Sequence, residues 1–210
     1  MKTIILKVDP EHPATEVIER AAEAIRRGEL VAFPTETVYG LAADAFNEKA
    51  VARVFEVKGR PANNPLPVQV ASLEGVPRLA AEIPDIAARL MDTYFPGPLT
   101  IVFRASDEVS ELITAGTGKV GVRMPDHPVA LAFIRAAGTP IVAPSANTSG
   151  ESPPTTAEEV LAYLDGRIEM ILDAGLTQLK VASTVVDVTE SPPRILREGS
   201  ITAETLSTCF

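Results

Sequence analysis

Four short polar clusters in this chain carry the residue types that grip an anionic ligand. The run Pro34-Thr35-Glu36-Thr37-Val38-Tyr39-Gly40-Leu41-Ala42 sets hydroxyls, a carboxylate and a phenol directly after the apolar stretch Leu30-Val31-Ala32-Phe33. Lys58-Gly59-Arg60-Pro61 offers two cations one residue apart, and Gly59 lets the backbone turn so that both can reach one anionic group. Ser145-Ala146-Asn147 and Arg197-Glu198-Gly199 lie at comparable edges, and Ser183-Thr184-Val185-Val186-Asp187 adds a later hydroxyl-bearing strand. Side chains at a strand end are aimed by the buried sheet yet reachable from solvent, and in open α/β sheets ligands collect at the carboxyl ends of strands.

The chemistry open to such residues is positioning and charge neutralisation. His12 and His127 each precede a proline in a turn-like context and read as structural or solvated. Without a Cys/His cluster no transition-metal site is expected, and no Gly-x-Ser-x-Gly elbow supports a serine hydrolase. Gly116-Thr117-Gly118-Lys119 superficially resembles a phosphate loop, but Val120 stands where Ser or Thr is required. Asn147-Thr148-Ser149 is formally a glycosylation sequon, and it reads as unused because the N-terminus lacks the long apolar core of a signal peptide.

The elements that must position these clusters follow from apolar periodicity. Helices are predicted over residues 14–27, 48–58, 83–94, 129–137 and 156–164, the first carrying a stripe of Val17, Ile18, Ala21, Ala22 and Ile25. Strands are predicted over residues 1–10, 30–34, 66–70, 99–104, 119–123, 140–143, 170–172, 183–188 and 194–197. The alternation implies an α/β fold, and the closely spaced last strands can pair antiparallel, so a twisted mixed (parallel and antiparallel) sheet flanked by helices is expected. With 210 residues the chain fits one domain, 1–210, able to bury roughly 70% of its unfolded surface.

A net charge of −9 weighs against broad adhesion to nucleic acid, which needs clustered Lys and Arg. Several cations nevertheless fall inside the polar clusters, which suits small anionic ligands. The single cysteine, Cys209, rules out a disulfide framework and agrees with a reducing compartment. No stretch approaches the ~20 apolar residues needed to span a bilayer, so a cytoplasmic protein with no membrane partner is expected.

The four clusters, in this order over nearly the whole chain, closely resemble the YrdC-like family of L-threonylcarbamoyladenylate synthases in its short form. The eleven residues after Gly199 (210 − 199) are too few for the extra C-terminal domain of longer relatives, so a single YrdC-like domain is expected. The resemblance implies a reaction in which ATP, L-threonine and bicarbonate give threonylcarbamoyl-AMP and pyrophosphate. It implies Lys58 and Arg60 as catalytic, phosphate-contacting residues. Thr35, Thr37, Gln69, Arg123, Ala143 and Ser183 would hold threonine, with Tyr39 as a wall. Asn64, Lys119, Ser145, Asn147 and Arg197 would join Lys58 and Arg60 around the nucleotide. Gln69 departs from the family pattern, in which many relatives carry a histidine; an amide still hydrogen-bonds but does not titrate near neutrality.

Mg2+ is expected with ATP, held through phosphate oxygens and water, and no protein metal ligands are assigned. Glu36, Asp44 and Asp187 are candidate acids near the site, salt bridges to the basic residues being the favoured role. The resemblance further implies tRNA, modified at adenosine 37 (t6A), and a separate t6A transferase complex as partners. The alternative it leaves open is an RNA-binding or ribosome-associated module without synthase activity.

Overall fold

The computed structural model describes residues 2–207 and residue 209. Among them ten strands form one sheet: β1 (Ile4–Lys7), β2 (Val31–Phe33), β3 (Gly40–Asp44), β4 (Val68–Gln69), β5 (Leu99–Arg104), β6 (Lys119–Arg123), β7 (Ile141–Val142), β8 (Met170–Asp173), β9 (Thr184–Asp187) and β10 (Arg194–Arg197). Their spatial order is β1-β8-β2-β3-β7-β4-β6-β5-β9-β10. Four neighbouring pairs are parallel (β1/β8, β2/β8, β4/β6, β5/β9) and the other five antiparallel, so the sheet is mixed, as the sequence implies. The helices are α1 (Thr15–Arg26), α2 (Glu48–Lys58), α3 (Asp85–Tyr94), α4 (Glu111–Thr114), α5 (Pro128–Ala137), α6 (Ala157–Leu164) and α7 (Ala203–Ser207). No helix among the described residues is long and apolar enough to cross a membrane.

Both faces of the central strands are buried, and the period of two divides their side chains between two cores. Val31, Phe33 and Ala42 join α1 and α5 on one face, while Ala32, Leu41 and Ala43 join α2, α3 and α6 on the other. Ala21, Ala22 and Ala24 are fully buried, which lets α1 lie close to α5 and the sheet. The Phe33 and Phe133 rings, 5.4 Å apart between centroids and tilted by 47°, join β2 to α5.

Local chemistry sets the helix ends that matter for the site. The Asn47 side chain accepts the Ala50 N–H (3.2 Å) at the start of α2. The helix stops at Gly59, whose left-handed backbone (φ +58°) redirects the chain toward Arg60. His127 Nδ1 accepts the Val129 N–H (3.2 Å) at the start of α5, and Pro128 follows as the first helical residue.

Several expectations need correction. The predicted first helix begins at Thr15 with Ala14 at its cap, and no side chain caps it. The third begins at Asp85, because Pro84 occupies the extended cap position. Strands expected over 66–70 and 140–143 shrink to Val68–Gln69 and Ile141–Val142, since Pro67 and Pro140 have no N–H for the ladder. The predicted strand over 1–10 is four residues long, and Met1 lies outside the described residues. Strand β3, helices α4 and α7 and a 3-10 turn at Leu73–Arg78 were not anticipated.

The last segment is pinned by one hydroxyl. Thr184, fully buried, donates from Oγ1 to the Ile201 carbonyl (2.6 Å) and accepts the Gly199 and Ile201 N–H groups (3.0 Å each). Thr184→Val keeps the shape and orphans these backbone groups, so a loss of about 2–4 kcal/mol is expected in urea denaturation with an unchanged slope. A loss below about 0.5 kcal/mol would mean that water replaces the hydroxyl.

Candidate active site

A cavity of about 440 Å³ opens where the ends of β4, β6 and β7 face the β9–β10 hairpin. One part of its wall is organised by the turn between β2 and β3. Thr35 Oγ1 donates to the Val38 carbonyl (2.7 Å), accepts the N–H groups of Thr37 and Val38 (3.2 Å each) and lies 2.8 Å from Thr37 Oγ1. This closed turn puts Thr37 on the wall and keeps Thr35 behind it.

Arg123, at the end of β6, binds three segments through one guanidinium. Nε donates to the Gly97 carbonyl (3.0 Å), Nη1 donates to Thr37 Oγ1 (3.0 Å) and Nη2 lies 2.6 Å from Glu36 Oε1. The Arg123–Glu36 contact is a charge pair without hydrogen-bond alignment, and Glu36 Oε2 has no hydrogen-bond partner although both side chains are buried. Gln69 sits beside Arg123 in the parallel β4/β6 register, on the wall, with its Oε1 buried and unpartnered. A buried acceptor of this kind is costly unless a ligand donor or water meets it. Ala143 completes this end, its N–H donating to the Pro67 carbonyl (2.8 Å).

Opposite, Ser183 Oγ lies 2.8 Å from Thr100 Oγ1, and Arg197 forks onto the Ser183 carbonyl from Nε (3.1 Å) and Nη2 (2.8 Å). Gly199 permits this, because a β-carbon there would stand 2.2 Å from the Ala182 carbonyl oxygen. Arg60 donates to the Asn64 (3.0 Å) and Pro65 (2.8 Å) carbonyls, and burial works against its charge. Lys119 pairs with Asp187 at 2.9 Å, and that hydrogen bond raises the ammonium above the ordinary lysine range. Burial alone would raise the Asp187 carboxyl, but the bonds from Lys119 and Thr189 outweigh it and hold the group below the usual carboxylate range. Among the described residues the wall therefore carries Arg60, Lys119, Arg123 and Arg197 against the carboxylate of Asp187.

Of the residues expected in the site, the wall brings together Thr37, Arg60, Asn64, Gln69, Lys119, Arg123, Ala143, Ser145, Ser183 and Arg197. Thr35, Lys58 and Asn147 stand behind it instead. Lys58 is 1% exposed and donates from Nζ to the Ser145 and Asn147 carbonyls; Asn147 donates from Nδ2 to the Thr148 and Glu151 carbonyls (2.8 Å each). Tyr39 is a core residue whose hydroxyl donates to the Gly175 carbonyl (2.8 Å), and Asp44 accepts from Phe46 N–H and the Thr139 hydroxyl, with no ion pair among the described residues. Sequence reasoning missed Thr100, Thr117, Gly121 and Pro153 on the wall. Gly121 had a readable signal, a glycine inside a strand, and a β-carbon there would press on Thr100 at 3.0 Å.

The sequence profile of the Sua5/YciO/YrdC family, described as "Telomere recombination", matches residues 23–199. The chain belongs to this family. Among its Sua5/YciO/YrdC relatives, the threonylcarbamoyl-AMP synthase of Pyrococcus abyssi is 52% identical over 187 residues, 89% of this chain and 55% of the relative. The threonylcarbamoyl-AMP synthase of Bacillus subtilis is 49% identical over 188 residues, 89% of this chain and 54% of the relative. The crystal structure of P. abyssi Sua5 complexed with L-threonine superposes with a TM-score of 0.97 at 49% identity, covering 99% of this chain and 61% of that one. The chain thus spans about half the length of these curated relatives.

Two outcomes follow from the geometry. Glu36→Gln leaves the Arg123 guanidinium buried without its anion, so about 3–5 kcal/mol of stability should be lost in urea denaturation, and adding Arg123→Met should recover most of it. An unchanged midpoint in Glu36→Gln would show that the pair is solvated. Separately, burial, with the Arg60 charge adding to it, pulls the Lys58 ammonium from the ordinary 10.5 down to about 7. Between these values the unfolded chain holds a proton that the folded chain has lost, so this group's contribution to stability rises with pH across the window and is flat on either side. The stability of the parent relative to Lys58→Met should therefore climb from pH 7 toward 10.5; a flat or falling difference contradicts the shift.

Proposed function

We propose that this chain is an L-threonylcarbamoyladenylate synthase, converting ATP, L-threonine and bicarbonate into threonylcarbamoyl-AMP and pyrophosphate. The observation that carries this reading is one cavity whose wall joins buried polar side chains to a set of cations. Thr37, Gln69, Arg123 and Ser183 offer hydroxyl, amide and guanidinium groups to an amino acid, and Arg60, Lys119 and Arg197 offer charge to a triphosphate. Membership of the family and the likeness to a relative crystallised with L-threonine support the amino-acid part of this reading.

In this reading Arg123 receives the threonine carboxylate on the N–H groups left over from its internal bonds, and Gln69 Oε1 accepts from the amino acid's ammonium or hydroxyl. Once the ammonium has given a proton to solvent, the neutral amine adds to the carbon of bicarbonate, and water leaves, or to CO₂, and a second proton passes to solvent. An oxygen of the resulting carbamate attacks the α-phosphorus, and pyrophosphate departs as that bond breaks. The protein's task is to hold the labile carbamate in line with the phosphate and to neutralise developing charge, so it needs no covalent nucleophile. Arg60 and Ser145, both on the wall, would meet the departing phosphate oxygens as a charge and a hydroxyl donor.

Mg2+ enters as part of the nucleotide substrate and supplies charge neutralisation on the phosphates. In this reading the phosphates and water carry the metal, since the Asp187 carboxylate on the wall is engaged by Lys119. The product is a mixed anhydride, suited to a separate t6A transferase complex that would place the group on adenosine 37 of tRNA. The cytoplasm, where ATP, bicarbonate and tRNA meet, is the corresponding place.

Purified protein given MgATP, L-threonine and bicarbonate should release pyrophosphate only when all three are present, with the adenylate visible by mass spectrometry. Threonine-independent ATP hydrolysis, or no turnover, would sink the assignment. Arg60→Ala should lower kcat/KM by about 10²-fold or more while the unfolding midpoint barely moves, as when a charge-stabilising donor is removed.

A further inference from the structure

Lys58 is tied to the segment 145–149 by three bonds and to the cavity by none. As the last residue of α2 it sends a buried side chain to the carbonyls of Ser145 and Asn147, and its own carbonyl accepts the Ser149 N–H at 2.8 Å. The other side of the same segment is held by the sheet: Leu41 N–H donates to the Pro144 carbonyl (2.8 Å) and Ala146 N–H to the Tyr39 carbonyl (2.9 Å). Of the residues 145–149, Ser145 alone among those described lies on the cavity wall. The arrangement is a clamp whose single outlet toward the ligand is the Ser145 side chain.

We propose that Lys58 is a positioning residue: it fixes the Ser145–Asn147 turn, and through it the Ser145 hydroxyl, and makes no contact with the nucleotide itself. The inference rests on the synthase reading above for what Ser145 meets, but the clamp stands on the geometry alone. A lysine that contacts phosphate must present its ammonium to the cavity, whereas Lys58 is 1% exposed with its Nζ enclosed between two carbonyls. The depressed proton affinity agrees, since a neutral amine retains two N–H groups for two carbonyl acceptors, so the clamp holds in either protonation state.

The test has two arms. In the first, lysines of the unmodified protein are acetylated with and without MgATP and mapped by mass spectrometry. Lys58 should be slow in both states, the exposed Lys49 and Lys180 should react freely, and Lys119, slowed by its Asp187 partner, should be slowed further by MgATP. Rapid labelling of Lys58, whether or not MgATP protects it, overturns the proposal. In the second arm, Lys58→Met, Ser145→Ala and the double variant form a cycle in kcat/KM. If Lys58 acts through Ser145, adding Lys58→Met to Ser145→Ala should change the rate by less than about threefold, though alone it lowers it by tenfold or more. Effects that multiply overturn the proposal. Should the parent neither turn over nor show Lys119 protection, the synthase reading fails, and the Lys58 labelling rate still decides the clamp; it also decides it if Lys58→Met does not fold.

Discussion

One guanidinium holds the site together. Arg123 joins the turn before β3, the loop before β5 and its own strand, so three segments far apart in sequence share a single planar group. An ammonium has three donors but no rigid plane to fix them, whereas the guanidinium holds its N–H groups in one preset fork. Its anion, Glu36, lies in the same turn as its hydroxyl acceptor, Thr37, so the charge pair and the hydrogen bond fix the turn together. Burying this pair carries a desolvation cost that its misaligned contact does not fully offset, which marks the turn as specified for geometry more than for stability.

The electrostatics of the cavity run against those of the whole molecule. A chain of net charge −9 concentrates four cations on one concave wall and leaves its excess of carboxylates elsewhere. A concave, partly desolvated site strengthens such a local field and favours anions there, while a net negative charge weighs against broad adhesion to polynucleotides. That contrast speaks for a small anionic ligand and against the RNA-binding alternative.

Much of the architecture was legible because burial on both sheet faces leaves a strong period in the sequence. The mixed sheet, the α1 stripe and the turn at Gly59 all follow from local pattern. Strand β3 did not: Gly40-Leu41-Ala42-Ala43-Asp44 has no β-branched residue, and it becomes a strand because β2 and β7 pair with it from both sides. The polar clusters pointed to the right region, but not to which member of each faces the ligand. Thr35 and Thr37 are the same residue type two positions apart, and only the bonds around Thr35 Oγ1 decide which reaches the wall. Lys58 and Arg60 divide in the same way, one turned inward under the Ser145 segment and the other outward by Gly59. The choice between Lys58 and Arg60 depends on partners about ninety residues away, which a local window does not contain.

The strand order has a temporal consequence for a chain made from its N-terminus. Residues 4–7 wait for 170–173 to complete their ladder, and residues 99–102 wait for 184–187. A growing polypeptide that has emerged through β7 already contains Arg123 and Arg60 but lacks Ser183 and Arg197, so the residues of this wall cannot yet be assembled. Such late, long-distance pairing delays folding. It also means that a ligand needing Ser183 and Arg197 can stabilise only molecules in which β9 and β10 have joined the sheet.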